Sequence, residues 1–76
     1  MNTRLPRVTA KEVLRAMRRA GWEQREQHGS HIQLKHPTKP GRVTIPVHSG
    51  KTLPPHVLRN ILDAAGLSVE EFLNLL

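Results

Sequence analysis

The chain carries five histidines, His28, His31, His36, His48 and His56, among 76 residues, and no cysteine. Imidazole is the side chain that exchanges protons near neutral pH, so these positions are the first to sort for chemistry. His31 follows Gly29-Ser30, a pair that lets the backbone turn tightly and leaves little bulk in front of the ring. An RNA substrate brings its own nucleophile, the 2′-hydroxyl. Cleavage then needs only a base for that proton, an acid for the departing 5′-oxygen and cations for the phosphate. One exposed histidine among lysines and arginines meets this minimum, and such proton transfer is worth about 10²–10⁴-fold in rate. The pattern alone is not specific, because a lone outward histidine is more often an ordinary surface residue.

The other histidines divide by position. His48 lies just past a candidate strand with the same outward parity as His31, where it could approach His31 or the phosphate, or equally cap a loop. His28 and His31 have a His-x-x-His spacing, yet with no cysteine and few carboxylates nearby a zinc site is not expected. No cofactor is implied. His36 precedes Pro37 and reads as a turn residue, and His56 falls in the first turn of a helix, where exposure is the default. Lys35, Lys39, Arg42 and Lys51 flank the face that His31 occupies and could contact phosphates, together with Arg15, Arg18 and Arg19 on a helix. Trp22 and Phe72 are the only aromatics and are not interleaved with cations, which argues against a platform that stacks bases. Trp22 reads as core.

The elements that must hold these residues follow from capping and periodicity. Thr9-Ala10-Lys11-Glu12 matches a capping box and should start a helix. Val13, Leu14, Met17 and Ala20 form its apolar stripe, Lys11, Arg15, Arg18 and Arg19 lie outside it, and Gly21 suits a left-handed end. Three strands are expected next, over Trp22–His28, His31–Lys35 and Arg42–Val47. Alternation turns Ile32 and Leu34 inward and His31, Gln33 and Lys35 outward, and in the third strand turns Val43, Ile45 and Val47 inward. Pro37 to Gly41 supplies the turn between the second and third, and Pro46 marks a strand end or edge. Pro54-Pro55 can open a second helix, whose stripe Val57, Leu58, Ile61, Leu62 and Ala65 ends at Gly66. Ser68 to Glu71 is another capping box, leading into a short closing helix. The expected fold is α+β, in the order α-β-β-β-α-α: a three-stranded antiparallel sheet with helices packed on one face and the other face open to solvent.

Size and charge narrow the partners. The pattern contains no linker or repeat and reads as a single domain over 1–76, with a basic arm from Met1 to Val8. A chain this short buries only about 60% of its unfolded surface, so the core is small. Twelve Lys and Arg against six Asp and Glu give a formal charge of +6. Residues 1–59 hold all twelve cations and only Glu12, Glu23 and Glu26, a net of +9, which suits a polyanionic partner. The sequence shows no signal peptide and no membrane span, and the absence of cysteine fits a reducing compartment, so a cytoplasmic protein without membrane attachment is expected.

A set of short motifs sharpens the reading. Leu5-Pro6, Lys11-Glu12-Val13, Gly21-Trp22, Gly29-Ser30-His31, Ile45-Pro46-Val47-His48, Leu58-Arg59-Asn60-Ile61-Leu62, Ala65-Gly66-Leu67-Ser68 and Glu71-Phe72, in this order and spacing, resemble the HicA messenger-RNA interferase toxins over residues 5–76. The resemblance implies a fold like a double-stranded-RNA-binding domain and an endoribonuclease whose catalytic histidine is that of the Gly-Ser-His motif, here His31. It also implies messenger RNA as substrate and an acidic HicB-like antitoxin protein as the neutralising partner. On this reading Gly29, Ser30 and His48 position the substrate, no metal takes part, and the free chain is a monomer. The chain departs from the family at His56-Val57, where members usually carry Gly-Thr. The main rival is a non-catalytic RNA-binding module with the same element order. It normally places lysines at the start of its last helix, where this chain has Leu53-Pro54-Pro55-His56. A pure protein-interaction module is the third reading.

Overall fold

In the computed structural model, which describes residues 4–76, the Thr9 capping box closes. The Thr9 hydroxyl accepts from the Glu12 amide at 3.3 Å and the Glu12 carboxylate accepts from the Thr9 amide at 2.9 Å, so α1 begins at Ala10 and runs to Arg19. It stops because Gly21 takes φ +96°, which lets the Gly21 and Trp22 amides donate back to the carbonyls of Arg18 and Met17. A side chain is excluded at Gly21 twice over, since a Cβ there would also lie 2.7 Å from His36 Nε2. His36 is a clamp rather than only a turn residue. Its Nε2 donates to the Ala20 carbonyl at 3.1 Å, its Nδ1 accepts from the Thr38 and Lys39 amides, and its ring meets Trp22 edge-on at 5.3 Å.

The three strands are β1 (Glu23–His28), β2 (His31–Lys35) and β3 (Arg42–Pro46), antiparallel and ordered β1-β2-β3. The first strand starts one residue later than the pattern suggests, because the Trp22 amide is already committed to closing α1. Two helices follow, α2 (Pro55–Ala65), opened by the two prolines, and α3 (Val69–Leu75), opened by the Ser68–Glu71 capping box.

The alternation seen in the sequence sets the layering. Ile32, Leu34, Val43 and Ile45 form the buried face of the sheet, covered by Val13, Ala16 and Met17 of α1, Leu58, Ile61, Leu62 and Ala65 of α2, and Phe72 of α3. Trp22 is buried with them. No polar or charged residue is buried among those described. β1 takes no part in this packing, and all six of its residues are exposed. Of the expected basic arm, Met1 to Thr3 lie outside the described residues; Val8 is buried and its carbonyl accepts from the Leu53 amide at 2.8 Å. No described helix is long and apolar enough to cross a membrane.

Candidate active site

Gly29 and Ser30 form the whole connection between β1 and β2. Gly29 adopts φ +60° and Ser30 a negative φ, the pattern of a type II′ turn, whose twist matches that of the strands it joins. The turn is anchored at both carbonyls: Ser30 accepts from the Val47 amide and Gly29 from Gln27 Nε2 at 3.2 Å. Neither the Gly29 nor the Ser30 amide has a protein partner among the described residues. Two N–H groups at a tight turn are therefore available to an anion.

Immediately after this turn, His31 stands on the outward face, exposed, with no hydrogen bond to its ring from any described residue. Its cross-strand neighbours are His28 on β1 and Pro46 on β3. The next outward row is Glu26, Gln33 and Thr44, and beyond it Lys35 pairs with Glu23 and Arg42. Arg42 donates to Gln33 Oε1 at 3.0 Å, which lays its guanidinium along the face. Lys35 is four residues from His31 along one strand, about 13 Å away.

A shallow cavity of about 260 Å³ opens beside His31, walled by Thr44 and Pro46 of the sheet and by Val57, Asn60, Ile61 and Ala64 of α2. The flank of α2 thus wraps past β3 to the outward side, so the open face has a wall on one side. A second depression of about 330 Å³ shares Pro46 and Val57 with the first and adds His48 and Lys51. His48 also borders a third, of about 420 Å³, that runs to Thr9, Lys11 and Leu14. The first two share Pro46 and Val57 and the last two share His48, so the three depressions adjoin in a row from His31 to the start of α1.

Two of the expected cations are engaged with carbonyls of the helical layer. Lys39 donates through Nζ to the Ala65 carbonyl at the end of α2, at 3.3 Å. Arg19 donates to the Leu75 carbonyl at 2.8 Å and ties α3 to α1. Arg15 and Arg18 are exposed on α1, the helix that covers the buried face of the sheet, and their side chains hydrogen-bond to no described residue. Lys35, Arg42, Lys51 and His48 remain on the side of His31.

Two features escaped the sequence reading. One is the α2 wall, whose Asn60 and Ala64 carry no signal of a site. The other is a contact from His28 Nε2 to Glu26 Oε2 at 2.9 Å, directly across from His31. That hydrogen bond first and the charge of His28 second hold the Glu26 carboxyl below its ordinary range; desolvation opposes them, and Arg42 adds the smallest lowering effect. A signal for it existed, since a two-residue hairpin turn obliges the residues on either side of it to pair. Among the described residues, no three or more His, Asp or Glu side chains converge as a set able to hold a metal ion.

Compared with known proteins, residues 10–67 match the model of a family described as the HicA toxin of bacterial toxin–antitoxin systems. No curated protein matches the chain at a significant level.

Proposed function

Since the chain belongs to the HicA toxin family and so is the toxin of a toxin–antitoxin system, we propose that it poisons the cell as an endoribonuclease that cuts messenger RNA through His31. One observation carries the reading: His31 is an outward imidazole without a hydrogen-bond partner among the described residues, next to two turn amides that also have none there, and it borders a depression that adjoins the one lined by Lys51 and His48. His31 removes the proton of the 2′-hydroxyl. The amides of Gly29 and Ser30 hold the scissile phosphate, and Lys35, Arg42, Lys51 and His48 bind the strand on either side. These groups supply proton transfer and charge, the requirements of a reaction whose nucleophile belongs to the substrate. No metal ion is required.

The reading extends to the setting. The protein acts in the cytoplasm as a monomer when free, and an acidic HicB-like antitoxin silences it by covering the face that carries His31. The face suits such a partner because Lys35 and Arg42 share the outward side of the sheet with His31 and Lys51 borders a depression beside it.

Incubating the purified protein with long RNA in the presence of chelator tests the proposal. The parent gives fragments, whereas His31→Ala gives none while keeping its helical signal and its RNA affinity. Fragments from His31→Ala at the parent rate would refute the assignment. Affinity should fall with added salt, with a log–log slope of about −0.7 per phosphate neutralised on a single strand. Binding without fragments from the parent protein would mark a non-catalytic RNA-binding module instead.

A further inference from the structure

The hairpin that presents His31 presents a second imidazole with it. His28 and His31 are directly paired across β1 and β2, so both rings leave the same face of the sheet. Directly opposed residues of an antiparallel pair have Cβ atoms about 4.5–5.5 Å apart, so one bound phosphodiester can touch both rings. Their surroundings differ. His31 has no hydrogen-bond partner among the described residues, whereas His28 Nε2 is held by Glu26 Oε2 at 2.9 Å, two residues back on the same face. Glu26 is itself set in a row with Gln33, which accepts from Arg42. His28 and Glu26 are well exposed, with 69% and 53% of their side-chain surface accessible, and a pair in that position stabilises a fold little. What the pair does is fix the ring. With Nε2–H directed to the carboxylate, the nitrogen left for a ligand is Nδ1.

We propose that His28 is the second catalytic residue of this protein, the general acid that complements His31, with Glu26 as its positioning residue. The proposal rests on the ribonuclease reading above. In the step itself, the 2′-oxygen gives its proton to His31 and bonds to phosphorus, forming a 2′,3′-cyclic phosphate. The bond from phosphorus to the 5′-oxygen breaks, and that oxygen takes the Nδ1 proton of the His28 imidazolium to leave as a 5′-hydroxyl. His31 ends protonated and His28 neutral, and exchange with water resets both. The Gly29 and Ser30 amides lie between the two rings in the chain, where the non-bridging oxygens of the phosphate gather charge.

The test uses an oligoribonucleotide that spans a site the parent protein cuts in long RNA, and the same oligonucleotide with sulfur replacing the 5′-bridging oxygen at that site. A thiolate leaves without being protonated. His28→Ala should lose about 10²–10⁴-fold on the oxygen substrate, the usual worth of a general acid, and cut the sulfur substrate close to the parent rate. Glu26→Gln should show a smaller loss with the same rescue, and should add little to His28→Ala, because the two act through one proton. His31→Ala loses both substrates. Parent-like cutting of the oxygen substrate by His28→Ala would overturn the proposal. So would equal losses on the two substrates by a His28→Ala protein with an unchanged unfolding midpoint, since sulfur could not then rescue a missing proton. A parent protein that cuts neither oligonucleotide nor long RNA brings down the ribonuclease reading and this proposal together, a result distinct from either of those.

Discussion

The two outer strands of the sheet are built on opposite plans. In β3, Val43 and Ile45 are fully buried, α2 packs alongside, and the strand closes on Pro46, which offers no donor. In β1, Glu-Gln-Arg-Glu-Gln-His is exposed throughout, and a register shift between Gln24 and Glu26 breaks its pairing with β2. Charged residues and a bulge are ways to keep a free edge from pairing with another chain. His31 sits on the strand between them. Its backbone is held from the β3 side by the core and the Ser30–Val47 hydrogen bond, and its chemical neighbours come from the β1 side. The division teaches that a domain with a small core can keep polar machinery on a strand the core does not use, so that the site costs the fold little.

The division can be broken most forcefully from the buried side. Leu34→Ala empties a fully buried position between β1 and β3 and should destabilise by about 2–5 kcal/mol, read from urea unfolding. In a domain whose total margin is about 5–15 kcal/mol, that is a large fraction. Next comes Gly21→Ala. Here left-handed strain of about 1–2 kcal/mol combines with the displacement of His36 and its hydrogen bonds, at about 0.5–1.5 kcal/mol each. Gly29→Ala carries the strain alone, since no atom lies within 4 Å of a Cβ there. Gly29→Ala should therefore unfold later than Gly21→Ala, and the reverse order would show that His36 is no clamp.

Smaller effects test the helical layer against β1. Thr9→Ala and Ser68→Ala each remove a cap and should cost about 0.5–2 kcal/mol, seen as a lower unfolding midpoint. The carboxyls of Glu12 and Glu71 are held below the ordinary 4.5, chiefly by the Thr9 and Ser68 amides. Their stabilisation is thus complete above the ordinary value and is lost as pH falls through the lowered one. Glutamine can make the same cap bond without titrating. Glu12→Gln with Glu71→Gln should therefore flatten the acid side of a plot of Tm against pH, whereas an unchanged plot would show that the caps do not govern it. At the bottom of the scale, Arg25→Ala on β1 removes only an exposed pair with Glu23 and should stay within about 0.5 kcal/mol of the parent. A loss as large as that of a cap would mean that β1 is not spare.

How far the sequence could be read depended on the range of the interaction. Both capping boxes, the inward and outward sides of β2 and β3 and the exposure of His31 were legible, because caps act over three residues and strand alternation over two. The fates of Lys39 and Arg19 were not. Their side chains reach carbonyls 26 and 56 residues away, and no local pattern marks a distant helix end in need of a donor. His28 was visible only as half of a metal-like spacing until the hairpin put it opposite His31. The His36 clamp was missed for the same reason, since its partner Ala20 belongs to another element.

By itself, then, the sequence determined which segments are helix and strand, which of their side chains form the core, which face stays wet and that an imidazole stands on it, though not the burial of Val8 and Leu53 outside those elements. Those properties are written in periodicity and in short-range hydrogen bonds, and chain neighbours suffice to decide them. Only the tertiary structure decided that α2 would wall one side of that face, that Lys39 and Arg19 would be tied to carbonyls at the ends of α2 and α3, and that a carboxylate-held His28 would stand beside His31. Each of these depends on how separate elements pack, and packing is settled by the whole core at once.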